Sequence, residues 1–335
     1  MLNMFDYQKI CERLLNGLPQ RTQDVLERRY GLKQEAGETL ESVGRIYGVT
    51  RERARQLEMD GLFRVRPCLT QEKEMLRYMA DILKKHGNVK EERAFLALAG
   101  PARFRNHIFF LLTVAGPFTR YGETEELYPL WTANEDALRV AKKAVAVLVA
   151  EFAKSQRLLS IADIVSISQE PANERIVISC VEISKEIKQG PTGLFGLSQW
   201  PEVSPRGVKD KAFVVLKQAK EPLHFTAVAD KINQLETNER KALARTVHNE
   251  LIKDKRFVLV GRGLYALQEW GYETGDVKDV IEAVLVSAGC ALARDEVVDR
   301  VLKQRLVKPS TILLNLNNNQ RVNKDSQGRY YYVNV

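Results

Sequence analysis

Cysteine is scarce in this sequence, and the four present, Cys11, Cys68, Cys180 and Cys290, stand far apart without a C-x-x-C pair. Such spacing builds neither a zinc ribbon nor a dithiol motif, so they read as small hydrophobes of a reducing cytoplasm. Histidine is equally sparse: His86, His107, His224 and His248 are scattered, none has a partner at metal-ligand spacing, and no metal or cofactor is expected. Long apolar runs are lacking too. The most apolar stretch, Ile108 to Phe118, is about eleven residues and contains Gly116 and Pro117, whereas a bilayer-spanning helix needs roughly twenty. Asp6 and Lys9 interrupt the first residues, so no signal peptide is expected; the expected place is the cytosol, with no membrane partner. There is no phosphate-cradling glycine loop, no dinucleotide fingerprint and no nucleophile elbow. Nothing sets two carboxylates apart as acid and base, and the reading is a chain that is not an enzyme.

What is present suggests binding. At 335 residues the chain exceeds one ordinary core, and 44% hydrophobic content suffices for two or more folded modules. The formal charge of +8 favours an acidic partner such as nucleic acid, although a basic balance alone does not decide it.

Near the start, Leu18-Pro19 opens a segment from Gln20 to Tyr30 in which Val25, Leu26 and Tyr30 recur at helical spacing, and Gly31 stops it. Thr39 then caps a short helix through Gly44, Gly48 supplies a turn, and Thr50 caps a further helix to about Val65. Two helices joined by a glycine-containing turn make a helix-turn-helix, expected within residues 1–67. The second helix carries Arg51, Glu52, Arg55 and Gln56 on its leading turns, where this motif reaches base edges in the major groove. Arginine suits guanine, glutamine suits adenine and glutamate accepts from cytosine. The same residues on an arbitrary charged helix would be a solvated, salt-bridged face.

The particular string argues otherwise. Thr39-Leu40-Glu41-Ser42-Val43-Gly44 and Gly48-Val49-Thr50-Arg51-Glu52-Arg53-Ala54-Arg55-Gln56-Leu57-Glu58, with Leu18-Pro19 and Arg28-Arg29-Tyr30-Gly31-Leu32 upstream, resemble region 4 of housekeeping-type bacterial sigma factors. The resemblance covers about a fifth of the chain. It implies that Thr50, Arg51, Glu52, Arg55 and Gln56 contact double-stranded DNA at a promoter hexamer, and that the module docks on RNA polymerase core, at the flap of the beta subunit. Two departures stand out: Asp60 where the family usually has a basic residue, and Gly61 where a better helix former is expected. Nothing downstream resembles the sigma segments that melt promoters, so the chain is not expected to start transcription alone.

Behind this module lies an internal repeat. Gly193-Leu194-Phe195-Gly196-Leu197-Ser198-Gln199-Trp200 parallels Gly263-Leu264-Tyr265-Ala266-Leu267-Gln268-Glu269-Trp270, with fainter echoes at Glu126 to Trp131 and Gly328 to Val333. The aromatic residues Tyr128, Phe195, Tyr265 and Tyr330 recur at intervals of roughly 65 to 70 residues, about one small domain each. They alternate with leucine at strand period and read as core, not as platforms for bases.

In the third copy, helical segments at Val208 to Lys220, Phe225 to Gln234 and Arg240 to Asp254 precede strands at Phe257 to Val260 and Leu264 to Leu267. Three helices and a hairpin describe a winged helix. Ala212 to Leu216, Pro222-Leu223-His224-Phe225-Thr226 and Arg262-Gly263-Leu264-Tyr265-Ala266-Leu267 resemble the HARE-HTH family, which includes the N-terminal domain of the polymerase delta subunit. The expected fold is therefore mainly α with small β-hairpin wings: a helix-turn-helix at 1–67 and four tandem winged helices at 70–133, 134–202, 203–272 and 273–335.

Lysine and arginine outnumber aspartate and glutamate 13 to 8 over residues 203–272, against 8 to 9 over 134–202. The third copy is accordingly the one expected to meet phosphate, through Lys241, Arg245, Asn249 and Lys253. The last three fall at i, i+4 and i+8 opposite Ala244, Val247 and Leu251. Winged helices also bind proteins, so a delta-like accessory subunit that reads no sequence stays open, as does a DNA-sensing arm of a restriction system.

Overall fold

The computed structural model describes residues 5–168, 173–235 and 241–333. The chain is mainly helical with small antiparallel strand groups, and divides into two compact units, Met1–Ser198 and Gln199–Val335.

The first unit opens with α1 (Tyr7–Leu15), α2 (Gln20–Tyr30), α3 (Leu40–Ile46) and α4 (Arg51–Val65). Next come α5 (Lys73–Lys85), β1 (Val89–Glu91), α6 (Glu92–Ala99), α7 (Arg105–Val114), β2 (Thr119–Tyr121) and β3 (Leu130–Thr132). It closes with α8 (Glu135–Ser155), α9 (Ile161–Ile167), α10 (Glu174–Glu182), β4 (Ile187–Gln189) and β5 (Phe195–Leu197). β3 lies between β1 and β2, antiparallel to both, and β4 pairs with β5.

A joint expected near residue 69 is not a joint. One core takes in Tyr7, Leu14 and Leu15 of α1, Leu26 of α2, Val65 of α4, Met79 of α5, Phe95 of α6 and Trp131 of β3. Its centre is α7, in which Ile108, Phe110, Leu111, Leu112 and Val114 are all buried and which packs on α1, α2, α4 and α6. A helix apolar on nearly every side must be enclosed on every side. The stretch too short to span a membrane is therefore the pillar on which the helix-turn-helix rests. Polar ties reinforce it: Asn106 Nδ2 donates to the Gly31 carbonyl at 3.0 Å, and Arg66 Nε donates to the Val114 carbonyl at 3.1 Å.

Residue 133 is bridged as well. Val89 and Leu130 share a cluster with Leu138, Ala141 and Ile183, and the Tyr128 amide donates to the Ile183 carbonyl at 2.9 Å. Lys90, only 4% exposed, donates to Ser179 Oγ at 3.2 Å and pairs with Glu182. It occupies the place before the second helix of the repeat that Leu159, Leu223 and Leu292 hold elsewhere. The aromatic partner shifts with it. Leu159, Leu223 and Leu292 pair with Phe195, Tyr265 and Tyr330, but Lys90 pairs with Trp131, so Trp131 and not Tyr128 is the first copy's core aromatic.

The second unit has α11 (Gly207–Ala219), β6 (Leu223–His224), α12 (Phe225–Leu235), α13 (Ala244–Lys253), β7 (Phe257–Gly261) and β8 (Leu264–Leu267). There follow α14 (Val277–Ala288), α15 (Arg294–Leu302), α16 (Pro309–Asn317), β9 (Val322–Lys324) and β10 (Tyr330–Tyr332). β8 runs between β6 and β7, and β9 pairs with β10. Ala212, Phe213, Leu216, Ile232, Val247 and Tyr265 anchor one core, and Ile281, Leu285, Val297, Ile312 and Tyr330 a second. The Leu306 amide joins the two sets of elements by donating to the Val260 carbonyl at 2.7 Å. Across both units, three helices followed by a hairpin recur four times in the order of elements.

Candidate nucleic-acid interface

The geometry of α3 and α4 follows from local chemistry. Thr39 and Thr50 sit in extended conformation and accept from the amides of Ser42 at 3.1 Å and Arg53 at 3.2 Å. Each satisfies one of the amides a helix start leaves orphaned. Between the helices Gly48 adopts φ 63°, a region costly for any residue with a Cβ. Val43, Ala54 and Val25 close a small core with Leu40, Tyr47 and Leu57, which fixes α3 and α4 against α2.

Gly61 departs from the sigma pattern for a reason visible here. A Cβ at this position would lie 2.8 Å from both Leu26 Cδ1 and Thr22 Cγ2. The glycine lets α4 approach α2 closely, which offsets the roughly 1 kcal/mol of helix propensity it gives up.

With its back fixed, α4 turns Arg51, Glu52, Arg53, Arg55 and Gln56 to solvent. Arg55 grips Glu52 with two nitrogens, Nε to Oε2 at 2.9 Å and Nη2 to Oε1 at 2.7 Å, and Arg53 Nη1 donates to Gln56 Oε1 at 3.0 Å. Hydrogen bonding to Arg55 holds the Glu52 carboxyl below the usual carboxylate range. Arg51 makes no ion pair among the described residues. Further along, Asp60 accepts from Arg64 Nε at 2.9 Å, while Met59 and Phe63 are 54% and 77% exposed.

In the third copy, Arg245, Asn249 and Lys253 lie exposed along α13, with Val247 and Leu251 buried opposite. Lys241 does not join them. α13 begins at Ala244, not at Arg240, which lies outside the described residues, and Lys241 is in the segment before the helix. Asn233 accounts for this: its Oδ1 accepts from the Ala242 amide at 2.7 Å and its Nδ2 donates to the Ala242 carbonyl at 3.1 Å. Both backbone groups of Ala242 are thereby taken out of helical hydrogen bonding. Ile252 on α13 and Leu243 before it are 63% and 68% exposed, so this surface is mixed, not uniformly basic. Tyr265 is buried, with His248 stacked edge-on at 5.9 Å and Phe225 between His248 and His224.

Neither Lys90 nor the pillar role of α7 was read from the sequence. A lysine at a strand position usually turns outward, and only the repeat alignment on Trp131 reveals that leucine is its counterpart.

Among known proteins, the RNA polymerase sigma factor SigA of Nostoc sp. (strain PCC 7120) is 47% identical over 55 residues, 16% of this chain and 14% of the relative. RpoS of Coxiella burnetii is 39% identical over 72 residues, 22% of this chain and 20% of the relative. SigA of Listeria monocytogenes is 47% identical over 55 residues, 16% of this chain and 15% of the relative. The chain thus spans no more than about a fifth of these relatives' length. Residues 14–66 match the family of sigma-70, region 4, and residues 206–270 match the HARE-HTH family, the ASXL and restriction endonuclease HTH domain.

Proposed function

We propose that this chain is a non-enzymatic, cytosolic regulator of transcription that binds double-stranded DNA and associates with RNA polymerase core. In this reading α4 enters the major groove with Thr50, Arg51, Glu52, Arg55 and Gln56 at the duplex, and the module docks at the beta flap without promoter-melting segments. The segments 70–133, 134–202, 203–272 and 273–335 act as four winged helices, three of them diverged. The observation that carries the reading is α4 itself: capped by Thr50, locked from behind by Ala54 and Gly61, and presenting five polar side chains from its leading turns. Such a helix is rigid where base reading requires rigidity.

One observation favours a second reading. Phe63 and Met59 stand exposed on the trailing half of α4, and large exposed apolar side chains side by side suit a protein partner. In that case the chain decorates polymerase and reads no sequence. Selection from random duplexes with the full chain and its Gln56→Ala variant separates the two. Base reading predicts an enriched motif that loosens at particular pairs in the variant. A wild type that enriches no motif yet captures polymerase rejects base reading.

A further inference from the structure

The charges of the last repeat are segregated along the chain. Residues 273–302, which hold α14 and α15, carry seven carboxylates and three cations. From Lys303 to Val333 there are six cations and a single carboxylate, Asp325. Over the whole repeat the two halves nearly cancel, so composition does not reveal the asymmetry.

Three of those six cations have structural duties. Arg305, 2% exposed, donates to the carbonyls of Gly275 at 2.8 Å and Gln304 at 3.1 Å. Arg321 pairs with Glu282 at 3.3 Å and Arg329 with Asp325 at 2.8 Å. Lys303, Lys308 and Lys324 remain exposed and make no ion pair among the described residues. Lys308 sits directly before α16, and Lys324 ends β9 with its Nζ 4.8 Å from the centre of the Tyr330 ring.

Between these lysines, α16 shows an uncharged polar face. Ile312 and Leu316 are buried, while Ser310, Leu314, Asn317 and Asn318 are exposed at i, i+4, i+7 and i+8. The corresponding helices differ: α10 begins and ends on glutamate, and α13 contains Glu250. Leu314 is 63% exposed in the middle of this face. Tyr330 Oη donates to Asn317 Oδ1 at 3.3 Å, which ties the hairpin to the helix and leaves the Asn317 Nδ2 donors to solvent.

We propose that α16 and the β9–β10 hairpin form a second contact surface for duplex DNA, outside both segments matched by known families. The helix lies in the major groove, with Asn317 and Asn318 offering amides to base edges and Leu314 meeting a thymine methyl. Lys308 and Lys324 take phosphates on either side, and the absence of any carboxylate on the α16 face removes the repulsion that α10 would suffer. Charge complementarity selects nucleic acid over protein here, and the surface stands whether or not α4 reads a promoter.

The test uses the full chain with Arg51→Glu and Arg53→Glu, so that α4 no longer contributes, and a fluorescently labelled duplex of random sequence. Binding is followed by anisotropy across a salt series. Adding Lys308→Glu and Lys324→Glu should weaken binding roughly tenfold or more and lower the slope of log affinity against log salt by about two, near 0.9 for each phosphate no longer neutralised. Lys308→Arg with Lys324→Arg should retain both affinity and slope. Leu314→Ala should weaken binding with the slope unchanged. Circular dichroism should be the same for all variants, since every altered side chain is exposed. The proposal is overturned if the α4-disabled chain binds no duplex, or if the glutamate pair leaves affinity and slope where they were. Loss of a protein partner with DNA binding intact would overturn it as well. Failure of α4 to enrich a motif leaves this surface untouched, so the two readings fail separately.

Discussion

Leu111 decides whether the helix-turn-helix is an independent module or one face of a larger body. It lies on α7, is 0% exposed, and belongs to the core that contains Leu26 of α2 and Val65 of α4. Leu111→Ala removes three buried carbon atoms and leaves a cavity, which costs about 2 to 5 kcal/mol in a site that relaxes only partly. For a cooperative unit of this size each kcal/mol moves the midpoint by roughly 2 to 4 °C, so the melting temperature should fall by about 5 to 15 °C. The decisive readout is local. In native-state hydrogen exchange, amides of α2 to α4 and of α6 to α7 should lose protection together, by about a hundredfold for a loss near 3 kcal/mol. DNA binding by α4 should weaken near the new midpoint although the substitution is far from its exposed face. If α6 and α7 lose protection while α2 to α4 keep theirs, the shared core is not cooperative and the reasoning fails.

Asp60→Lys removes a carboxylate paired only with exposed Arg64, and should tighten duplex binding most at low salt; an unchanged affinity at every salt concentration would place this turn away from phosphate. Glu52→Gln frees the guanidinium of Arg55 from its bidentate partner, so nonspecific affinity should rise and discrimination between sequences fall in the same duplex selection; a loss of nonspecific affinity would contradict this. His107 is 8% exposed and its Nδ1 has no partner; burial pushes its pKa below the ordinary histidine value, against weaker opposing effects of Glu12 and the Leu32 carbonyl. The unfolded chain therefore binds the proton more readily. Its contribution to stability should be intact above about pH 6.5 and be lost as pH falls through the unfolded and then the folded pKa. Urea unfolding across that window should show a slope that His107→Gln flattens.

The parts of the fold that were legible are those written in local chemistry. Thr39, Thr50 and Gly31 fixed helix ends through caps and a stop, and Arg262-Gly263 fixed a hairpin turn, so α2, α4, β7 and β8 lie close to where spacing placed them. What was not legible is which surfaces cover one another. The apolar run at Ile108 shows that α7 must be enclosed, but not that α1, α2 and α4 enclose it. The expectation of a joint near residue 69 treats a short apolar helix as belonging to its own repeat. Spacing alone selects Tyr128 as a core aromatic, because a three-residue slip is invisible without strand register, which the pairing of Lys90 with Trp131 supplies.

At the sites, the same distinction separates α4 from α16. A sigma-like string carries its own registration, so Arg51, Glu52, Arg55 and Gln56 could be placed on an exposed face before any coordinates, and that is where they lie. Lys241 failed because one asparagine, Asn233, binds the backbone ahead of α13 from the preceding helix. Charge summed over a repeat points to the third copy, yet the surface there mixes Arg245 and Lys253 with exposed Leu243 and Ile252. A phosphate responds to the field at its own position, which decays within about 10 Å at 0.1 M salt, not to the total carried by a domain. The fourth repeat, with its carboxylates on α14 and α15 and unpaired lysines beside α16, therefore attracts a duplex locally despite its balanced sum. Counting charges by helix face instead of by domain would have selected it from the sequence.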